Sequence, residues 1–178
     1  EVALQNCHRL GRLIDEILEV SRLEQGVAQR HLDWTPVRLS DLARKVVHFV
    51  RTEAALKSLR LVERLPEQLP PVVCDERLMH LLLFNLVENA VKFTGEGGEV
   101  AVEIEPQGHD VRVRVRDTGI GIAREHHDRV FEKFFTVDDG SARSHGGTGI
   151  GLYLAREVVA IHDGTIRLES RPGQGTIF

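Results

Sequence analysis

The stretch VRVRVRDTGIGI, residues 111–122, alternates valine with arginine and then breaks into aspartate and glycine. Alternation with a period of two predicts a half-buried strand. Residues 100–105 alternate in the same way, with glutamates on the polar side, and turn residues at 106–110 separate the two runs. We therefore predict an antiparallel hairpin whose solvent face sets a row of glutamates beside a row of arginines.

Helical patterns flank this hairpin on both sides. We predict a helix over 41–57, capped by Ser40, with its buried side marked by Leu42, Val46, Val47, Val50 and Leu56. A second helix over 76–93 is predicted to be capped by Asp75, and a third over 150–161 to end near Gly164. Further strands are predicted at 31–37, 59–65, 72–74, 165–170 and 175–178, with a short helix around 123–131. The fold class predicted is an α/β two-layer sandwich, a mixed sheet with helices on one face.

The first 25 residues predict one amphipathic helix. Its apolar stripe follows a 4-3-4-3 spacing, which is typical of a bundle or coiled coil, and runs through Ala3, Cys7, Leu10, Ile14 and Ile17. The helix would end near Gly26. We therefore divide the chain into a stalk helix, 1–26, and one domain, 27–178. Because the chain starts at Glu1 and stops at Phe178 inside an apolar run, we interpret it as a piece of a longer protein.

Composition excludes several classes of function. With 178 residues and 42% apolar content, the chain suits one well-cored domain plus an appendage. The net charge is −4, and no basic face dominates the sequence. We therefore expect neither nucleic-acid binding nor direct membrane contact. No apolar run is long enough to span a bilayer. The two cysteines are isolated, which favours a reducing compartment, and the nine histidines show no metal-binding spacing.

The predicted second helix carries an unusual polar set. Asn85, Asn89 and Lys92 stand at i, i+4 and i+7 and so share one face. Asparagine is a poor interior helix residue. Its carbonyl oxygen can bind a hard cation such as Mg²⁺, and a lysine can neutralise phosphate charge. The alternative is a solvated polar face.

Two glycine-rich segments add to this set. Asp117, directly after a strand, can accept a hydrogen bond from an exocyclic amine such as that of adenine, and Gly119 and Gly121 let the backbone approach a flat ring. GGTGIGL, residues 146–152, opens a helix, where free amides and the helix dipole favour phosphate. The second segment is not a Walker P-loop, because no Gly-Lys-Ser/Thr follows. Taken singly, the first segment is also compatible with an ordinary turn at the end of a strand. The second is also compatible with a flexible hinge.

Together and in this order, the segments resemble the nucleotide-binding boxes of the histidine kinase catalytic domain. That domain belongs to the superfamily that also holds type II topoisomerase, mismatch-repair and chaperone ATPases. The resemblance covers residues 27–178 and implies a mainly antiparallel, Bergerat-type sheet. Residues 1–26 resemble the second helix of the dimerisation and phosphoacceptor domain. The matching boxes are the N box 85–93, the first glycine box 117–121, the phenylalanine box 131–135, the second glycine box 147–151 and the last glycine motif 173–176.

The resemblance assigns roles to individual residues. Asn89 would hold Mg²⁺, Lys92 would touch phosphate, Phe93 would pack on adenine and Asp117 would bind its amino group. Residues 132–147 would form a mobile ATP lid. The full ATP site expected is Asn85, Asn89, Lys92, Phe93, Asp117, Gly119, Gly121, Ile122, Arg143, Gly146, Gly147, Thr148, Gly149, Ile150, Gly151, Leu152 and Thr176.

The function implied is that of a protein-histidine kinase with ATP and Mg²⁺ as cofactors. It would transfer the γ-phosphate to a histidine on an acceptor helix, for onward transfer to an aspartate of a response regulator receiver domain. The acceptor motif is absent here, since His8 is followed by Arg9 and Leu10. The parent would be a homodimer, while a fragment with half of the bundle would dimerise weakly. We expect a cytoplasmic location for this fragment, and membrane anchoring of the parent stays open.

Two alternatives stay open. An ATP hydrolase of the topoisomerase or chaperone kind would place a glutamate base four residues before the Mg-binding asparagine, but Asn85 stands there. A non-catalytic nucleotide-binding module is the other alternative. The intact boxes argue against it, but it stays open because of Thr136, which stands where the family commonly has arginine after the phenylalanine box. Arg143 is a candidate to replace that phosphate contact.

Overall fold

The computed structural model describes residues 18, 20, 21, 32–137 and 148–178. Within 32–137 and 148–178 there are three α-helices, α1 (Leu39–Leu56), α2 (Glu76–Phe93) and α3 (Gly151–Ile161). The described strands are β1 (Trp34–Val37), β2 (Arg60–Arg64), β3 (Val72–Asp75), β4 (Glu99–Gln107), β5 (Asp110–Asp117), β6 (Glu169–Ser170) and β7 (Thr176–Ile177).

The main sheet has five strands in the order β2-β4-β5-β7-β6. Only β2 and β4 are parallel, and the other neighbours are antiparallel. A separate two-stranded sheet joins β1 to β3. Helix α2 packs between α1 and α3, and the buried side chains of all three helices form one core with those of β4 and β5. The prediction of a mixed, mainly antiparallel sheet with helices on one face is confirmed.

The β4–β5 hairpin has the predicted register. Glu103 pairs with Arg114, and Glu105 pairs with Arg112. The Oε1 atom of Glu105 lies 3.3 Å from Nη1 of Arg112 and 3.1 Å from Nη1 of Arg114. The alternate residues Val100 and Val102 face the helices and are each 1% exposed. Because exposed ion pairs contribute at most about 1 kcal/mol, the hairpin is held mainly by its apolar face.

The start of α2 is as predicted, whereas α1 differs in two places. Asp75 is the N-cap of α2 and accepts a hydrogen bond from Leu78 N at 3.0 Å. The predicted cap of α1 by Ser40 is wrong, because the helix already begins at Leu39 and the Ser40 hydroxyl instead donates to the carbonyl of Pro66 at 3.0 Å. Leu56 is 83% exposed, not buried. The buried stripe continues through Ala54, and a residue two positions later points to the opposite side of a helix.

The shorter elements are trimmed relative to the predictions. The predicted helix around 123–131 is two separate 3₁₀ turns, Arg124–His126 and Arg129–Phe131. The strand predicted over 165–170 contains only β6, and the one predicted over 175–178 contains only β7. The helix α3 ends with the amide of Asp163 bonded to Ala160 O and that of Gly164 bonded to Val159 O. This pair of bonds is a Schellman motif, with Asp163 in the left-handed conformation at φ 52°.

Most of the predicted stalk lies outside the described residues, including its five seam residues. Leu18, Val20 and Ser21 are helical, with Leu18 half exposed and Val20 buried in the core cluster. In the part of the chain that the structure describes, no helix combines the length and apolarity needed to cross a membrane.

Candidate functional site

Asp117 ends β5 and is buried, with 6% of its surface exposed. Its Oδ1 atom accepts hydrogen bonds from Gly119 N at 2.7 Å and from Thr176 N at 3.2 Å. Burial raises the pKa of this carboxyl above its usual 3.8, and the two amide donors oppose that rise. Within the described residues both hydrogen bonds end on Oδ1. Oδ2 therefore keeps its lone pairs for an outside donor.

The loop after Asp117 is pressed against the end of α2. The amide of Ile120 donates to the carbonyl of Phe93 at 3.2 Å. A Cβ atom added at Gly119 would collide with that carbonyl oxygen and would lie 2.8 Å from Oδ1 of Asp117. Glycine is therefore required at 119 for the loop to close over Phe93, which places the predicted adenine-packing residue beside the predicted adenine acceptor.

The last glycine motif completes the surroundings of Asp117. Thr176 on β7 lies opposite Asp117 on β5. The hydroxyl of Ser170 accepts from Ile122 N at 2.7 Å and donates to the carbonyl of Gly175 at 2.9 Å. Ser170 thus ties the first glycine box to the β6–β7 turn. The sequence analysis missed Ser170, because a lone serine at a strand end carries no local signal for such a role.

The polar face predicted on α2 is divided by burial. Asn89 and Lys92 are partly exposed, as a ligand-binding role requires. Asn85 is only 4% exposed, and its amide Nδ2 donates to Leu81 O at 2.9 Å. Its Oδ1 atom lies against Gly151, the first residue of α3. Asn85 is therefore separated from the exposed part of this face because the start of α3 covers it.

The carboxyl end of α2 is capped from α1. Nζ of Lys57 donates to the carbonyl oxygens of Val91 and Lys92, both at 2.8 Å. Nζ of Lys92 itself lies 4.8 Å from the ring centroid of Phe93. A cation that bonds the last carbonyls of a helix stabilises its end. Lys57 therefore fixes the turn that carries Lys92 and Phe93, a role that the sequence analysis did not find.

The second glycine box leads into α3. The Thr148 hydroxyl accepts from Ile150 N at 3.1 Å, and Ile150, the N-cap residue of α3, makes no side-chain capping bond. Gly149 has φ 69°, and its carbonyl accepts from Phe134 N at 2.9 Å. The box is thereby docked on the phenylalanine box. Because the first amides of a helix lack intrahelical partners, they are available to an anion.

Comparison with known proteins identifies the family. The model of the "Histidine kinase-, DNA gyrase B-, and HSP90-like ATPase" family matches residues 74–178. The chain belongs to this ATPase family. The match contains every predicted box from the N box to the last glycine motif.

Two of the relatives that resemble this chain are sensor kinases. The chain is 36% identical over its full length to the sensor-like histidine kinase SenX3 of Mycolicibacterium smegmatis and covers 46% of that protein. It is 36% identical to the adaptive-response sensory kinase SasA of Crocosphaera subtropica, covering 95% of this chain and 44% of SasA. The chain therefore spans less than half the length of these curated relatives.

Solved structures of histidine kinases share the fold. Full-length ShkA in complex with AMPPNP superposes with a TM-score of 0.82 and 31% identity, over 96% of this chain and 35% of ShkA. The catalytic domain of the histidine kinase ThkA gives 0.71 and 30% identity, over 83% of this chain and 93% of that domain. The likeness to ThkA's catalytic domain confirms the expected ATPase-family fold.

The remaining residues of the predicted boxes of this ATPase-family chain differ in burial, and some lie outside the described residues. Ile150 is 1% exposed, so its side chain belongs to the core, whereas Gly121 adopts φ 69° in the loop that Ser170 holds. Thr136 is exposed. Phe134 is 67% exposed with φ 61°. Arg143, Gly146 and Gly147 lie outside the described residues, as does the part of the predicted lid 132–147 that begins at residue 138.

The described part of this site can hold a divalent cation only if the nucleotide supplies further ligands to it. Among the described residues, no cluster of three histidine, cysteine or acidic side chains could hold a metal ion. The partly exposed carboxamide of Asn89 makes no hydrogen bond to another described residue. One amide oxygen suits Mg²⁺ when phosphate and water complete the octahedron.

Proposed function

We propose that this chain binds Mg-ATP as the catalytic domain of a sensor histidine kinase. The observation that carries the proposal is the buried Asp117 carboxylate, whose Oδ2 is left for a donor while Gly119 brings the loop against Phe93. A buried acceptor beside a closely packed glycine loop suits a flat heterocycle with an exocyclic amine.

The phosphates would extend from this pocket along α2 toward the start of α3. Asn89 would hold Mg²⁺ and Lys92 would neutralise phosphate charge. The first turn of α3, entered through Thr148 and Gly149, would supply amide donors and the positive end of the helix dipole. Arg143, Gly146 and Gly147 would contribute from the lid.

The activity proposed is transfer of the γ-phosphate to a histidine on an acceptor helix of the parent protein. Asn89 would hold Mg²⁺, which would supply charge neutralisation at the transferred group, and this chain's residues would bind and orient the nucleotide. We further propose a homodimeric, cytoplasmic assembly, with residues 1–26 as part of the stalk and 27–178 as the catalytic domain. A response regulator is proposed as the downstream partner, because the related kinase ThkA has been solved in complex with the response regulator TrrA.

Transfer is favoured over hydrolysis by Asn85. In the hydrolases of this superfamily that position would carry a glutamate base, and an amide cannot take up a proton usefully. The Asn85 carboxamide is also committed to Leu81 and to the start of α3. A water-activating group at this position is therefore lacking.

Calorimetry with Mg-ATP tests the proposal. Asp117→Asn keeps an oxygen that can accept from Gly119 and Thr176, but it places an amide donor where the adenine amine would donate. We expect affinity to fall at least about tenfold, since a buried donor–donor clash costs more than one hydrogen bond. Asp110→Asn, at the exposed start of β5, is the matched control. Unchanged affinity in folded Asp117→Asn would contradict the proposal.

A further inference from the structure

His162 directly follows α3, and its ring is bonded at both nitrogens. Nδ1 lies 2.8 Å from the carbonyl of Val158, one turn back in α3, and Nε2 lies 3.1 Å from the backbone nitrogen of Asp75. The Asp75 amide can only donate, so Nε2 accepts and Nδ1 carries the proton. The ring also meets the Trp34 ring edge-on, with centroids 5.0 Å apart. His162 is thus a neutral imidazole that joins the end of α3 to the start of α2.

The attachment point at Asp75 is itself rigid. Asp75 is 4% exposed, and its carboxylate accepts from Leu78 N at 3.0 Å and from Asp33 N at 3.2 Å. These bonds fix the residue to the first turn of α2 and to the chain entering β1. A ring bonded to the Asp75 amide is therefore attached to a fixed part of the fold.

A second contact holds α3 at its other end, where Gly151 lies against the side-chain oxygen of Asn85. Asp75 and Asn85 are ten residues apart along α2, or about 15 Å at 1.5 Å per residue, and the 11 residues of α3 span about 16 Å. The two helices therefore run antiparallel with two matched contacts. These contacts set the position of α3 along the axis of α2.

That position matters for the phosphates. The start of α3 lies at Asn85, and Asn89 is one turn further along α2. We propose that His162 is a positioning residue, which locks α3 along α2 and so aligns the phosphate-binding start of α3 with Asn89. This inference rests on the proposed Mg-ATP function. The adenine contacts at Asp117 and Gly119 belong to β5 and its loop, so they do not depend on this lock.

The test compares Mg-ATP, measured by calorimetry, with adenosine, measured by NMR titration, in the 178-residue chain. His162→Phe keeps a ring beside Trp34 but removes both hydrogen bonds. We expect it to weaken Mg-ATP about five- to tenfold, the equivalent of roughly one hydrogen bond, and adenosine by less than about twofold. His162→Gln restores an acceptor for the Asp75 amide and should recover most of the loss. His48→Phe, at an exposed site on α1, is the matched control.

Four results would decide against the inference or its basis. Equal weakening of Mg-ATP and adenosine by His162→Phe would show a general structural role and overturn it, as would unchanged binding of both. Wild-type protein that binds neither ligand would overturn the proposed function, and the inference with it. If His162→Phe does not fold, the ¹⁵N spectrum of the wild-type ring decides, because the inference requires the Nδ1–H tautomer and any other form overturns it.

Discussion

The side-chain oxygen of Asn85 occupies the space where a side chain at Gly151 would begin. Asn85 lies on α2 and Gly151 is the first residue of α3, so this contact brings the N box against the second glycine box. The two residues depend on each other, because the Asn85 side chain fits here only if residue 151 has no Cβ atom.

From this contact we predict that the effect of Gly151→Ala on stability changes sign when Asn85 is also replaced. Gly151→Ala should destabilise the wild-type protein by about 1–3 kcal/mol, because the new methyl group collides with Asn85. In an Asn85→Ala background the collision is gone, and the same change should stabilise the protein by about 1 kcal/mol through helix propensity. Urea unfolding of the four proteins measures both effects. Equal effects of Gly151→Ala in the two backgrounds would show that the residues are not coupled.

Asp117 predicts opposite changes in stability and in binding. Its pKa is raised in the folded protein, so its stability contribution is full below the unfolded pKa and is lost as the pH rises through the folded pKa. Asp117→Asn should therefore be at least as stable as wild type at neutral pH. The difference between the two unfolding free energies should narrow as the pH is lowered toward 3.8.

The same carboxyl must be ionised to accept from adenine. ATP affinity should therefore begin to fall at a higher pH than an ordinary aspartate would allow. Calorimetry across the acid range, with Asp110→Asn as control, measures this.

The stability prediction is contradicted if Asp117→Asn is less stable than wild type at neutral pH. That result would mean that the buried charge is compensated by partners other than Gly119 and Thr176.

Gly119 predicts a local steric effect on both folding and binding. Gly119→Ala should cost about 1–3 kcal/mol of stability and weaken ATP binding, because its methyl group would push the loop off the carbonyl of Phe93. Gly95→Ala is the matched control, since a Cβ there would meet nothing within 4 Å. Thermal unfolding and calorimetry report the two quantities. Equal behaviour of the two variants would refute the proposed closure of the loop over Phe93.

Asn85 predicts slow hydrolysis of ATP by this chain alone. Without a glutamate base at position 85, steady-state phosphate release should stay well below about 1 per second, the lower end of ordinary enzyme turnover. A coupled phosphate assay at saturating Mg-ATP measures it, with Asn89→Ala as the control for contaminating ATPases. Turnover typical of a dedicated ATPase would support the hydrolase alternative.

Local patterns were sufficient to predict the elements that carry the site. The alternation of valine and arginine predicted β5 to within one residue, and Asp75 predicted the start of α2, because both signals lie within the element itself. Asn85 was placed on a ligand-facing surface for the same reason, since helical spacing alone puts it on the face of Asn89.

What the sequence could not reveal depends on residues distant in the chain. Asn85 is buried by α3, whose first residue is Gly151, and no helical spacing encodes that contact. Ser40 fits the pattern of a cap, but the carbonyl of Pro66 takes its hydroxyl. Lys57 and Ser170 gain their roles from partners 34 to 48 residues away. Roles of this kind can be assigned only once the three-dimensional structure is known.

The bond between Asp117 and Thr176 joins residues 59 positions apart. Pairing of β5 with β7 has to overcome the entropy of closing that long segment, so contacts of this kind form late in folding. The nucleotide pocket is therefore completed by one of the least local contacts in the fold. A nucleotide that binds only when this pairing is complete raises the free energy of unfolding, and the gain grows with the nucleotide concentration relative to its Kd.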